Sequence, residues 1–183
     1  MIGKSHPYSS AFATSEAYHG KTYTIAHRFA VNYESQKRLG KPDSYALCFT
    51  RSVAYHNQTV AIAHRFAKEH ESQKRLGKLN SYAYSFATSK AYHNQTDDIA
   101  HKYALIFESQ HMLGKPDPYT SAFAASKAYH GKDDDIAEQY ALAYEAQIGL
   151  KKSVEYAECF ARSKVYHGHN DETASIFSSI ICS

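Results

Sequence analysis

The residues best suited to chemistry in this chain are histidines. His19, His56, His93, His130 and His167 stand 37 positions apart, each preceded by Tyr and followed by Gly or Asn. A serine lies four residues before each one: Ser15, Ser52, Ser89, Ser126 and Ser163. At that spacing on a helix a hydroxyl and an imidazole come within hydrogen-bond reach, which is the first half of an activated nucleophile. A working one also needs a third group to orient the imidazole and donors for an oxyanion. The repeating segment supplies neither. Metal binding by a column of histidines meets a geometric objection. Ligating nitrogens must converge within about 2.1 Å of one ion, whereas equivalent side chains of stacked helices lie roughly 10 Å apart. A second column, His27, His64 and His101, gives way to Glu138 and fails in the same way. One local cluster remains, His167, His169, Asp171 and Glu172 in HGHNDE. A metal-dependent enzyme built on that loop is the catalytic alternative. The main expectation is a chain that is not an enzyme, with no catalytic, metal or cofactor-binding residue and no cofactor.

The same spacing describes the elements that carry these side chains, because self-similarity at a fixed period marks a repeat array. The units run over residues 3–39, 40–76, 77–113, 114–150 and 151–183, forming a single repeat domain over 1–183. Tyr8, Phe12, Ser15 and His19 follow one another at steps of four, three and four, one face of a helix and never one face of a strand. Phe12, Phe49, Phe86, Phe123 and Phe160 form a core column, with the small serines beside it to let helices approach. In the second half of the unit, Ile25, Ala26, Phe29, Ala30 and Tyr33 make another helical stripe. Thr22, Thr59, Thr96, Asp133 and Asn170 share one position and are all N-cap types. Asp117-Pro118 reads as an N-cap followed by proline at the first helical position. Gly20, Asn57, Asn94, Gly131 and Gly168 tolerate the left-handed backbone of a helix C-cap. Tyr-His-Gly/Asn is therefore a helix stop, and its histidine sits at the negative end of the helix dipole. The spacing predicts paired helices of about 13 and about 16 residues joined by short loops. Tandem pairs of this kind stack into an all-α solenoid of five helix-turn-helix repeats.

The pairing resembles the tetratricopeptide-like class of helix-turn-helix repeats along nearly the whole chain. Ile25-x3-Phe29 has the spacing of that class's Ala-x3-Phe, and Leu39-Gly40 echoes its Leu-Gly. The unit is 37 residues long and contains no Trp. The resemblance implies the architecture and a general protein-binding role, and assigns no individual functional residue.

Composition narrows the function classes. Apolar residues make up 43% and aromatics 14%, enough for a core. No apolar run is long enough to span a membrane, so no membrane partner is expected. The segment MIGKSHPYSS lacks the apolar stretch of a secretory signal, which predicts an intracellular, cytoplasmic chain. QKRLGK occurs twice, at residues 36–41 and 73–78, but the dibasic pair is missing from later copies, against a peptide precursor. The sequons Asn57-Gln58-Thr59 and Asn94-Gln95-Thr96 are explained as a C-cap followed by an N-cap. Residues 1–77 carry 11 Lys and Arg against 5 Asp and Glu, and residues 78–183 carry 10 against 13. A nucleic-acid track would need continuous positive charge, so RNA binding is disfavoured.

These features predict an interaction scaffold for a protein or peptide. The expected surface is lined by the first helix of each unit, with Arg51, Lys90, Lys127, Arg162 and Lys164 exposed and His19, His56, His93, His130 and His167 along one edge. The ends suggest a second behaviour. The last helix, TASIFSSIICS, carries Ile176, Phe177, Ile180 and Ile181 without a polar cap. Such a face can receive the first helix of another copy, giving a dimer or a filament. Cys48 and Cys159 fall on the same repeat position, three repeats and roughly 30 Å apart, too far to bridge. Both are expected to be small buried residues, and Cys182 a reachable thiol.

Overall fold

A computed structural model describes residues 5–182. The expected start of the first repeat at Gly3, and the last residue of the array at Ser183, lie outside them. The described residues form helices and no strands: α1 (His6–Ala13), α2 (Tyr23–Arg38), α3 (Asp43–Ala54), α4 (Val60–Arg75), α5 (Asn80–Ala91), α6 (Asp97–Met112), α7 (Asp117–Ala128), α8 (Asp134–Gly149), α9 (Val154–Ala161) and α10 (Asp171–Ile181). The chain divides after Thr96 into two compact units, α1–α5 and α6–α10. Within each, consecutive helices pack on one another as antiparallel hairpins stacked side by side, the α-solenoid architecture. Among the described residues no helix is long and apolar enough to cross a membrane.

Each unit holds its core between first and second helices. In the first unit Tyr8, Phe12, Phe29 and Ala30 form one cluster with Ala54, and Tyr45, Phe49 and Phe66 form another. In the second unit Tyr103 packs with Ala124 and Ala128, and Tyr119, Phe123 and Tyr140 pack with Ala157 and Ala161. The phenylalanine column is buried at every copy, and the serine column beside it is sealed from solvent.

The stops behave as the sequence predicts. Gly20, Asn57, Asn94, Gly131 and Gly168 all have positive φ, between 50 and 70°. The residue after each donates its backbone N–H to the carbonyl of the buried serine six positions back, from Lys21 to Ser15 at 3.1 Å through His169 to Ser163 at 3.3 Å. This bond spans one residue more than the six-to-one bond of a Schellman cap, which closes the second helices instead, from Lys41 to Gln36 and from Lys78 to Gln73, both at 3.1 Å. After α1 and α9 the helix widens into a π turn, Thr14–Tyr18 and Arg162–Tyr166. His19 N–H there reaches Thr14 at 3.1 Å, and the looser bonds His56 to Arg51 (3.3 Å) and His93 to Thr88 (3.4 Å) show the same tendency.

The starts need one correction. Thr59, Asp133 and Asn170 accept the N–H of Ile62, Ile136 and Thr173 as N-caps should. Asp117 is instead the first residue inside α7, with Pro116 at the cap and Pro118 one position further in than expected. The extended residue at this helix start is Pro116 itself, with φ −67° and ψ 153°.

The cysteines need a second correction. Cys159 is half-buried on α9 and forms a disulfide with Cys182 just past α10, their Cα atoms 6.5 Å apart. Neither the buried role predicted for Cys159 nor the reachable thiol at Cys182 survives. The partner of Cys159 comes from its own hairpin, a pairing that the repeat spacing did not disclose. Cys48 is free and buried, and desolvation pushes its thiol up to about 11.

Candidate interaction surfaces and the contacts between repeats

The tyrosine of the Tyr-His pair turns out to be the rung that joins one repeat to the next. Tyr55 stacks on Phe29 of the preceding second helix with centroids 5.0 Å apart, and Tyr92 stacks on Phe66 at 4.9 Å. In the second unit Tyr129 stacks on Tyr103 at 5.1 Å and Tyr166 on Tyr140 at 5.0 Å. The hydroxyl completes the rung. Tyr55 donates to Ser15 Oγ at 2.9 Å and Tyr166 to Ser126 Oγ at 2.8 Å. Tyr92 and Ser52 occupy the same register without a bond of good geometry, though the serine still offsets part of the upward push that burial gives the phenol. The serine is thus small enough to admit the next helix and polar enough to anchor it. Sequence reading found the first half of that role only.

The histidines support these rungs. His19 lies edge-on to Tyr55 and His130 to Tyr166. Burial pushes the pKa of His56, His93 and His130 down; Lys21 and Arg51 add to this at His56, and Arg162 and Lys132 at His130. Packing and neighbouring cations therefore outweigh the helix dipole that the sequence suggested would favour the charged form. The second column is equally structural: Tyr8 and Tyr45 hydroxyls meet Nδ1 of His27 and His64, at 2.5 and 2.7 Å, inside single hairpins. Lys41, Lys78, Lys115 and Lys152 lie over the rings of Tyr45, Tyr82, Tyr119 and Tyr156 at 4.7–5.1 Å. The Lys-x3-Tyr spacing carried that signal and was not read.

The predicted cationic surface is only partly a surface. Lys127 pairs with Asp134 and Lys164 with Asp171, the latter at 2.6 Å, each holding the next helix start against its own helix. Both also lie 6.0 Å over a core ring, Phe123 and Phe160. Arg51 and Lys90 are half-buried, and Arg162 is exposed. α3 and α7 are more buried than the second helices beside them, because a second helix packs on each side of both.

The His-rich loop is organised by the same contacts. His169 Nδ1 bonds Ser163 Oγ at 2.9 Å, and Asp171 holds Lys164. His167 and Glu172 are exposed. Among the described residues no three His, Cys, Asp or Glu side chains converge as a metal set requires. Beside the loop, a cleft of about 600 Å³ is lined by Leu142 and Ala143 of α8, by Phe160, Val165, His169 and by Asp171.

Exposed apolar side chains mark the remaining surfaces. Ile176, Phe177, Ile180 and Ile181 all face solvent on α10. A row that the sequence reading did not single out is also exposed: Leu39 and Leu76 in the first unit and Leu150 in the second, each at the C-cap of a second helix, with Leu113 directly after α6. No protein-family model matches the chain, and no curated protein and no solved structure matches it.

Proposed function

We propose that the chain is a non-enzymatic helical-repeat scaffold that binds a protein or peptide partner. The observation that carries this reading is the periodic leucine row. Leu39 and Leu76 are 66% and 69% exposed at equivalent helix ends, fixed by the same cap and flanked by Lys37, Arg38 and Lys41 or Lys74, Arg75 and Lys78. Apolar side chains held at the surface at a repeat spacing offer anchors for an extended or helical segment. The first unit holds 13 Lys and Arg against 5 Asp and Glu, a net +8, so the fitting partner is an acidic segment with apolar anchors. The tetratricopeptide-like resemblance supports a binding role of this kind. Selection of a random peptide library on the immobilised protein tests it. The expected winners are acidic sequences with apolar residues whose binding falls at least tenfold in the Leu39→Ser, Leu76→Ser double variant and weakens with salt. Winners that bind that variant unchanged, or no winners at all, would count against the reading. Self-association through the ends is the second reading, and the exposure of α10 favours it.

A further inference from the structure

The two ends of the array expose complementary halves of one internal contact. Counting in steps of 37, Phe177 occupies the position of Phe29, Phe66, Tyr103 and Tyr140. Those four rings are 1–5% exposed because each is covered by the Tyr-His tyrosine of the following repeat, whereas Phe177 is 44% exposed. Ile181 likewise stands where His70 and Tyr144 are buried, and is 63% exposed. At the other end stands Tyr18, the first member of the tyrosine column. It is 84% exposed. Ala13, on the same face, is exposed, although its equivalents Thr50, Ala87, Ala124 and Ala161 are all sealed at 0%.

We infer that α10 of one molecule receives α1 of a second copy of this chain, with Tyr18 stacking on Phe177 as Tyr55 stacks on Phe29. What covers the open face is therefore specified by the repeat itself. Four internal rungs give the geometry, with centroids 4.9–5.1 Å apart. Ser163, the buried serine of the last repeat, is where the Tyr18 hydroxyl arrives, and His169 now holds its Oγ. Charge favours this partner. The unit bearing α1 is net +8, and the unit bearing α10 holds 8 Lys and Arg against 13 Asp and Glu, a net −5. Opposite charge on the two docking units steers head to tail and opposes like-end pairing. The contact is heterologous, since different surfaces meet. It stands apart from partner binding along the leucine row, and either can hold without the other.

Sedimentation velocity of the full chain over a hundredfold concentration range, at low and high salt, tests it. The wild-type mass is expected to grow with concentration and to fall with salt. Tyr18→Ala and Phe177→Ser each break one half of the contact and are expected to remain monomeric. Mixed in equal amounts, they are expected to form a dimer of one molecule of each and nothing larger, because each supplies the half that the other lacks. Both positions are exposed, and unchanged helicity and melting temperature establish that the variants fold. Tyr18→Ala also tests the contact from the far end, should α10 fray in Phe177→Ser. A wild-type monomer throughout overturns the inference. So does a Tyr18→Ala protein that assembles like wild type, or a variant that still pairs with itself.

Discussion

At the scale of single residues, the rung explains why a serine, a tyrosine and a histidine recur together. Ser126 is fully buried and its hydroxyl is partnered by Tyr166. Removing only the phenol oxygen leaves the serine unsatisfied, which costs about 1–3 kcal/mol. Tyr166→Phe is therefore expected to lower the urea midpoint, and adding Ser126→Ala to recover much of the loss. A double-mutant cycle reads this directly, and additive effects would argue that the pair is not coupled. His70 makes a different prediction, on pH. It is buried on α4, its Nε2 faces Asn80 Oδ1 at 3.1 Å, and its Nδ1 has no partner. Burial holds its pKa below the ordinary value; Lys74 and Arg51 add to this, and Asn80 and Glu71 oppose it. The unfolded chain takes up this proton near pH 6.5, before the folded one does. Its contribution is complete above that pH and is lost as the pH falls below it. His56, His93 and His130 shift in the same direction, so acid destabilises the fold through all four. His70→Phe, the aromatic type that the third repeat carries at Phe107, should make the melting temperature less sensitive between pH 7 and pH 5. An unchanged pH slope would remove His70 from this account.

At the scale of elements, local rules account for most of what the sequence disclosed. Helix ends are set by residues within one turn of the cap, so the positive φ of Asn57 and the cap bond of Asp133 could be read from one copy and checked in the others. The phenylalanine column was legible for the same reason. What stayed hidden depends on three-dimensional neighbours: the tyrosine-to-serine bonds cross 40 residues of sequence, and Lys127 is drawn to Asp134 by the fold of its loop. The disulfide belongs to this class. It closes a hairpin across 23 residues and fastens α10 to α9, which by loop closure stabilises by about 2–4 kcal/mol. Alkylation of the denatured, unreduced protein is expected to modify one thiol, Cys48, and reduction first should raise the number to three. Three modified thiols without reductant would remove the bridge and fit the cytoplasmic expectation, since such bonds persist where the surroundings are oxidising. With the bridge reduced, hydrogen exchange in α10 should speed up more than in α8.

At the scale of the molecule, a repeat array is stabilised by the sum of its units and their nearest-neighbour contacts. The first two rungs are interchangeable in geometry, Phe29 on Tyr55 at 5.0 Å and Phe66 on Tyr92 at 4.9 Å. Excising residues 40–76 joins Leu39 to Gly77, whose φ of 76° matches the 71° of Gly40. Phe29 then meets Tyr92, and Ser15 meets the hydroxyl that Ser52 faced. The shortened chain is therefore expected to fold with the same helicity per residue. Its urea m-value should fall by about a fifth, in proportion to the surface removed, and its midpoint should drop because one hairpin and one rung are gone. Excising only residues 40–58 gives the contrasting case. It deletes α3 without α4, so α2 is followed by another second helix and the partners of Phe29 and Ser15 are lost together. That chain is expected to lose its cooperative transition. Equal behaviour of the two deletions would mean that the helices stack without register, and that the 37-residue rung is not what holds each unit together.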